Sequence, residues 1–507
     1  MSRINTNVQS LIATRALSNS NAALDQALQR LSTGLRINSG KDDPAGLIAS
    51  ETLRSSMRAI TTAIDNANRA DTIVAVAEGG LQEISSLLLE LETLVDATAN
   101  EAGLTSDEIS ANQLQVDSIL QSINRLAEAT AFGDKKLLNG NFEFTTSGIN
   151  VNEVTGETLS HLDDVQINSA KIAAGAYRQI NITRTTGSEQ AKLSAVLAGT
   201  DAVGTLNGTL GATTTLQIRG NYGSELLSFA SGTTTADLVT AINDRSSLTG
   251  VAASAYAGPT GDGPASLSLY STGYGADAFV AVSVLENEGS GPGRALDLQD
   301  VTGATTKRDF GVDGTFTVNG ASAVVKGLNA SVRAGDLSMD LTLSPSFGGG
   351  TSTETTTSFE ITGGGAVFSI SPTVGLSGLE ALGISEVSTA ALGHPTDGYL
   401  SSLGTGLSNS MTSGNFAAAQ RIVRAAVDQV ASLRGQLGGF QKDTLVTTIN
   451  SLRVARENVT AAESAIRDAD FAVETSNLTR AQILVNSSTA VLKLSNAAPQ
   501  NALALLA

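Results

Sequence analysis

The chain has 507 residues, with 31 Lys and Arg against 49 Asp and Glu for a net charge of −18, two His, and neither Cys nor Trp. At roughly 150 residues per domain, that length suggests about three domains, each able to bury a core of its own. The lack of Cys excludes disulfide scaffolds, thiolate metal sites and cysteine nucleophiles, and the acid excess argues against nucleic acid or an anionic membrane as partner.

His161 and His394 stand far apart, which leaves little room for zinc chemistry or a Ser-His-Asp triad. No catalytic residue, metal or cofactor is expected. Residues 1–21 carry no basic-then-apolar signal segment, and no run approaches the ~18 apolar residues of a membrane helix. Only 16% of residues are charged and 4% aromatic. The abundance of Ala, Ser, Thr, Leu and Val suits close helix packing and plain β-structure, so a structural or assembly role is the simplest expectation. Residues 141–409 hold 39 of the 51 Gly and six of the eight Pro. The ends therefore read as helical, and the middle reads as turn-rich β-structure.

At the N-terminal end, Leu17, Leu24 and Leu31 repeat every seven residues, with Leu28 and Leu35 four residues after the last two. This spacing lets one helix present a continuous stripe to another. The stripe stops in Asn38–Pro44, where Gly40 can end a helix, an Asp can cap the next and Pro44 can open it. A second heptad series follows: Leu53, Ile60, Ala67, Val74, Leu81, Leu88 and Val95, with Ala63, Ala70, Ala77, Ile84 and Leu91 three residues after five of them. A helix of that length would run about 85 Å and must lie in a bundle. Ile109, Val116 and Ile123, interleaved with Ile119 and Leu126, predict a third helix.

In the middle, Leu216 and Ile218 alternate with polar residues, as do Phe316 and Val318 before Asn319-Gly320. Residues 235–243 read as a short capped helix. Gly348–Gly350 and Gly363–Gly365 flank Thr/Ser-rich runs of the kind found in exposed hairpins. Gly258–Gly263 and Gly289–Gly293 lack the Lys-Ser/Thr of a nucleotide loop and read as turns. The paired acids Asp42-Asp43 and Asp163-Asp164 have no Ca²⁺-loop spacing around them.

The C-terminal end mirrors the N-terminal one. Phe416, Val423, Val430 and Leu437 form one seam, and Leu445, Leu452, Val459, Ile466 and Val473 form another. Then Phe471, Leu478, Val485 and Leu492 repeat at seven in a different phase. A helix whose apolar face rotates between Asp468 and Glu474 is changing partners, so a domain boundary is expected there, opposite the break at Gly40–Pro44.

These ends resemble a known family. Ile4-Asn5-Thr6-Asn7, Leu31-Ser32-Thr33-Gly34-Leu35-Arg36-Ile37-Asn38-Ser39 and Asp42-Asp43-Pro44-Ala45-Gly46 are similar to the start of bacterial flagellin. Ala462–Ala472, Arg480-Ala481-Gln482-Ile483-Leu484 and the end Pro499–Leu506 resemble its C-terminal signature. Residues 205–256 look like the insert module of some flagellins. The resemblance implies an α+β multidomain fold: a long antiparallel helical bundle or coiled coil from both chain ends, with a β-rich inserted outer region. Residues 1–43 with 468–507 would form an inner tube, 44–178 with 405–467 a helical rod domain with β-hairpins, and 179–404 the variable β-rich outer part.

The function it implies is self-assembly into the extracellular flagellar filament used for swimming, after export of the unfolded chain without a cleaved signal. The implied partners are other copies, the export apparatus and a chaperone, the filament cap and the hook-junction proteins, with no nucleic acid and no membrane insertion. Packing between subunits would fall to Leu17, Leu24, Leu28, Leu31, Leu35, Phe471, Leu478, Val485 and Leu492. The rod seam would be Ile60, Val74, Leu81, Leu88, Val95, Leu452, Val459 and Ile466. Flagellins that activate the vertebrate innate immune receptor generally carry Arg where this chain has Glu90. With Glu92 close by and Leu94 retained, weak activation is implied. The alternatives are the hook–filament junction protein, which shares these ends, and a filament subunit whose outer part is also an adhesin.

Overall fold

The structure, a computed structural model, describes residues 6–100, 103–149, 161–172, 176–197, 209–210, 212–256, 266–287, 296–298, 306–351, 353–395 and 397–504. Helices α1 (Val8–Thr33), α2 (Pro44–Thr98), α3 (Ser106–Ala129), α4 (Thr235–Asn243), α5 (Ser246–Thr249), α6 (Pro345–Gly348), α7 (Phe416–Gly439), α8 (Thr447–Arg467) and α9 (Phe471–Ala504) follow in chain order, with strands between α3 and α7. Two compact units result. One holds Met1–Asn68, Ile370–Val374 and Leu445–Ala507, and the other holds Arg69–Ser369 and Gly375–Thr444.

In the first unit, α1 is capped by Asn7, whose side-chain oxygen accepts from the Ser10 N–H, and it ends at Gly34 with φ +72°. The expected stop at Gly40 is corrected: the left-handed glycine six residues earlier closes the helix, because its N–H turns back onto the Arg30 carbonyl. Leu35 therefore lies off the helix. The start of α2 follows expectation, with Pro44 in the first turn and the Asp43 carboxylate accepting from the Gly46 N–H at 2.9 Å. The single rotating helix expected across 468–474 is also corrected. α8 stops at Arg467, Asp468 is extended (ψ 146°), and Asp470 restarts the chain by accepting from the N–H groups of Ala472 and Val473. A cap placed at the phase change lets each helix keep its own face.

The helical part of the second unit follows the heptads closely. Val74, Ala77, Leu81, Ile84, Leu88, Leu91 and Val95 of α2 are fully buried with Val116 and Ile123 of α3 and Ile422, Val423, Ala426 and Leu437 of α7. A Thr105/Glu108 capping box starts α3. Contrary to the expectation that no segment qualifies, α2 is long and apolar enough by composition to cross a membrane. Its seven-residue pattern accounts for that character, since the apolar columns line this core.

Beside three two-stranded sheets, the described residues of the second unit form two antiparallel sandwiches. In the first, the strand order Ala321–Ser322, Thr315–Val318, Arg178–Thr186, Thr356–Gly364, Phe144–Ser147 forms one sheet, and Val324–Lys326, Asn329–Ala334, Leu337–Leu343, Leu162–Ala170 forms the other. They close over Ile180, Phe316, Met339, Phe347 and Phe359. Asn319 (φ 49°) and Gly320 (φ 82°) make the tight turn that the Asn-Gly pair predicts. Phe144–Ser147 and Leu162–Ala170 pair with Glu360–Gly364 and Leu337–Leu343 of this sandwich. Two sequence expectations change here. The Thr/Ser run after Gly350 supplies no exposed hairpin but a central strand, with Thr357, Phe359 and Ile361 buried. Gly348 is itself buried in α6.

The second sandwich pairs Leu296–Leu298, Lys192–Leu197, Ser266–Ser271, Val251–Tyr256 in one sheet and Thr306–Phe310, Phe279–Asn287, Thr214–Arg219, Ser224–Phe229 in the other. α4 packs against it through Leu238 and Ile242. This helix occupies the residues read from sequence, capped by Thr234. The module extends well beyond 205–256, since Ala191, Leu193, Leu267, Leu269, Val280 and Val282 share its core. Gly258–Gly263 and Gly289–Gly293 lie outside the described residues, as do Ile4, Asn5 and the last three residues.

Candidate assembly interface

The first unit brings the two chain ends together as antiparallel helices. The Asn7 side chain donates to the Ser495 carbonyl at 2.8 Å, the Ser10 hydroxyl to Asn496 at 2.7 Å, and Arg30 pairs with Glu474 at 3.1 Å. Where both helices break, the main chains bond directly. The Arg36 N–H donates to the Arg467 carbonyl (2.7 Å) and the Ala469 N–H to the Gly34 carbonyl (2.9 Å), so Leu35 bridges Asp468. The two signature segments thus meet as one short antiparallel clip. Asp42 steadies it by accepting from the N–H groups of Asn38 and Ser39 and from the Ser39 hydroxyl. Those bonds, the Ser39 N–H first, hold its carboxyl below the usual range.

Along the helices, Leu17, Leu24 and Leu31 of α1 and Leu478, Val485 and Leu492 of α9 are half-buried, as a shared seam requires. Within the chain, the second column that faces the partner helix is filled by residues other than Leu28, Leu35 and Phe471. Leu28 is 45% exposed, Leu35 belongs to the clip, and Phe471 is 67% exposed. Ala13, Ser20 and Ala27 fill that column on α1, and Glu474, Ala481, Ser488 and Ser495 fill it on α9, with Ala13, Ala27, Glu474, Ala481 and Ser495 fully covered. Their signal was present as a second seven-residue series of small residues, which lets helix backbones approach closely. Reading only large apolar residues passed over it.

A seam so thin leaves the larger side chains outside. Leu11 (65%), Phe471 (67%), Ile483 (60%) and Leu494 (73%) are exposed, with Val8, Ile12, Val473, Leu484 and Val491 beside them in sequence. Apolar surface of this extent marks a protein contact. The rod residues behave differently: Ile60, Val74, Leu81, Leu88, Val95 and Leu452 are buried, and Val459 and Ile466 are half-buried. Glu90 is exposed, Glu92 pairs with Arg424 at 2.9 Å, and Leu94 packs against the helical core. His161 is buried against Phe347 at 4.7 Å between ring centroids, and burial lowers its pKa. Among the described residues, no three His, Asp or Glu converge as metal ligands.

The two terminal helices thus cover each other along one stripe and leave large apolar side chains exposed, the kind of surface an assembling protein carries. Family comparison agrees. Residues 4–143 match the bacterial flagellin N-terminal helical region, 421–506 the C-terminal helical region, and 215–273 the flagellin hook IN motif. The chain is 29% identical to a flagellin of Salmonella rubislaw and 29% identical to flagellin D of Vibrio anguillarum, each over 99% of both chains. The solved structure of FliC from Burkholderia pseudomallei matches 73% of this chain and 98% of its own at 15% identity and TM-score 0.23, too loose a superposition to carry an argument. The chain belongs to the flagellin family and is a structural subunit of the flagellar filament.

Proposed function

We propose that α1 and α9 form the inner tube of this filament and that they reach their stable state only in the polymer. The observation that carries this reading is the row of exposed large apolar residues on the paired terminal helices. Each such side chain, once covered by a neighbouring copy, contributes roughly 1.5–3 kcal/mol. Ordering two long helices costs entropy that a seam of Ala, Ser and half-buried Leu offsets poorly, so folding of the ends is coupled to association. Head-to-tail contacts that do not close a ring build an open helix of subunits.

In this scheme residues 1–43 with 468–507 make the tube, 44–178 with 405–467 the rod layer, and 179–404 the outward part. The two sandwiches support a larger outer part, because strands 144–147 and 162–170 are integral to one of them. The chain reaches the outside of the cell by flagellar export, unfolded and attended by a chaperone, and joins the filament beneath the cap and beyond the hook-junction proteins. The absence of Cys, which leaves nothing to cross-link before passage, supports this route. Removing residues 1–35 tests the central claim. The expected product is a folded, soluble monomer that does not polymerise, and filaments of normal length from it would refute the reading.

A second reading concerns Glu90 and Glu92. An exposed acid and an acid already paired with Arg424 favour weak activation of the vertebrate receptor. A reporter-cell assay showing full potency at nanomolar dose would overturn it.

A further inference from the structure

The sheet of the second sandwich that runs Thr306–Phe310, Phe279–Asn287, Thr214–Arg219, Ser224–Phe229 buries Ile218, Val280 and Val282 on one side. On the other, pairing sets Phe310 opposite Phe279, Arg308 opposite Ala281, and Arg219 opposite Ala281 from the neighbouring strand. Directly opposed residues share a face, so Arg219, Ala281 and Arg308 form one row across three strands. With strands ~4.8 Å apart, the two arginine Cα atoms stand roughly 10 Å from each other, and Ala281 leaves a notch between them.

Arg308 is held in an unusual way. Its guanidinium carbon lies 4.2 Å from the Phe279 ring centroid and 4.3 Å from that of Phe310, which is itself 52% exposed. Rings against the cation fix the guanidinium plane while leaving the in-plane N–H groups to solvent. Neither the Arg308 nor the Arg219 side chain makes a hydrogen bond or an ion pair among the described residues. The same register brings Gln217, Ser283 and Leu226 to this face, and the acid it sets there, Glu286 opposite Thr215, stands four residue pairs from the Ala281–Arg219 pair. Asp309 points the other way, accepting from the Lys192 N–H at 2.7 Å. On a chain of net charge −18, a row that carries two guanidinia without an ion pair among the described residues is complementary to an anion.

We propose that this face binds a carboxylated polysaccharide, a polyuronate chain lying across the strands. A planar guanidinium fork matches a planar carboxylate through two parallel N–H···O bonds. The row is flat, its two forks are spaced like the repeat of an extended disaccharide, and the Phe279 and Phe310 rings offer apolar edges to the C–H faces of sugars. A filament repeats the row on every subunit, so weak single contacts add up to firm attachment. The site lies within one module, and its single-copy affinity does not depend on polymerisation.

The test uses the full-length chain, as monomer at low salt and as filaments, over surfaces coated with alginate, chondroitin sulfate or neutral dextran. Binding to alginate, weakened by added salt and absent on dextran, is expected. Arg308→Gln and Arg219→Gln should each cost about tenfold in affinity. Phe310→Ala should lower affinity with the charge unchanged. Unaltered melting curves for all three variants would place the loss at the surface. Alginate binding undiminished in the Arg219→Gln/Arg308→Gln double variant would overturn the proposal. So would equal retention on dextran, stronger retention on chondroitin sulfate than on alginate, or a double variant changed in self-association with no change in alginate binding.

Discussion

The α1/α9 pair and the helical core of the second unit are written in the same seven-residue repeat, yet they end in opposite states of burial. In the core, both columns of α2 carry large residues, Leu81 with Ile84 and Leu88 with Leu91, and α3 and α7 both pack against them. All four are fully buried. In the terminal pair, one column is Leu or Val and the other Ala, Ser or Glu, and α1 and α9 pack on each other. Two helices can cover only one face of each other. A heptad therefore specifies a stripe and says nothing about how many partners will cover it, and in the proposed tube other copies complete that count for the terminal pair.

Substitutions that separate stability from assembly would break or sharpen that contrast. The largest effect is expected at Leu88: truncation to Ala leaves a cavity in a closed core and should cost about 2–5 kcal/mol in denaturant unfolding of the monomer. Ile483→Ser should do the reverse, leaving the monomer's unfolding midpoint in place. It should raise the critical concentration for polymerisation, read by sedimentation, about tenfold or more. A drop in monomer stability there would show that α9 is already satisfied alone.

Glu474 sits in the seam at 6% exposure and pairs with Arg30. Glu474→Gln should destabilise the terminal pair by about 2 kcal/mol. The readout is faster amide exchange along α9, and unchanged exchange would discount the pair.

A smaller effect, dependent on pH, belongs to Glu143, an outward carboxylate of the second unit next to the strand Phe144–Ser147. Burial first, then the charges of Glu386 and Asp164, raise the pKa of Glu143, and burial raises that of Asp164. A carboxyl whose folded pKa lies above its unfolded value favours the fold below the unfolded pKa. It loses that contribution as pH rises through the folded one. Glu143→Gln should therefore raise the melting temperature more at about pH 7 than at about pH 4. An equal gain at both would remove the cause. The smallest effect is ionic: screening the net charge of −18 should speed polymerisation from low to moderate salt, and an unchanged rate would count against it.

Much of this was open to reading in the chain. The heptads of α2, α3 and α7, the Asp43–Pro44 start, α4 at 235–243 and the Asn319-Gly320 turn are local, and local rules suffice for them. The strands at 144–147 and 162–170 were hidden, because their partners lie about two hundred residues away and alternation in short Thr-rich segments is faint. The small-residue column of α1 and α9 was visible only to an eye looking for Ala and Ser rather than Leu. The row of Arg219, Ala281 and Arg308 had no linear signature at all.

By itself the sequence determined where helices form, which phase each large apolar stripe takes, where α2 starts, and that no thiol chemistry is available. Those properties depend on spacing and on single residues acting over a few positions. Only the tertiary structure decided that Gly34 and Asp468 close their helices against each other, that Leu28 and Phe471 face outward while Ala27 and Ala481 face in, and which strands share a sheet. These choices set one segment against another hundreds of residues away. They turn on which pairing buries the most surface while satisfying every main-chain hydrogen bond, a balance that no stretch of chain can strike alone.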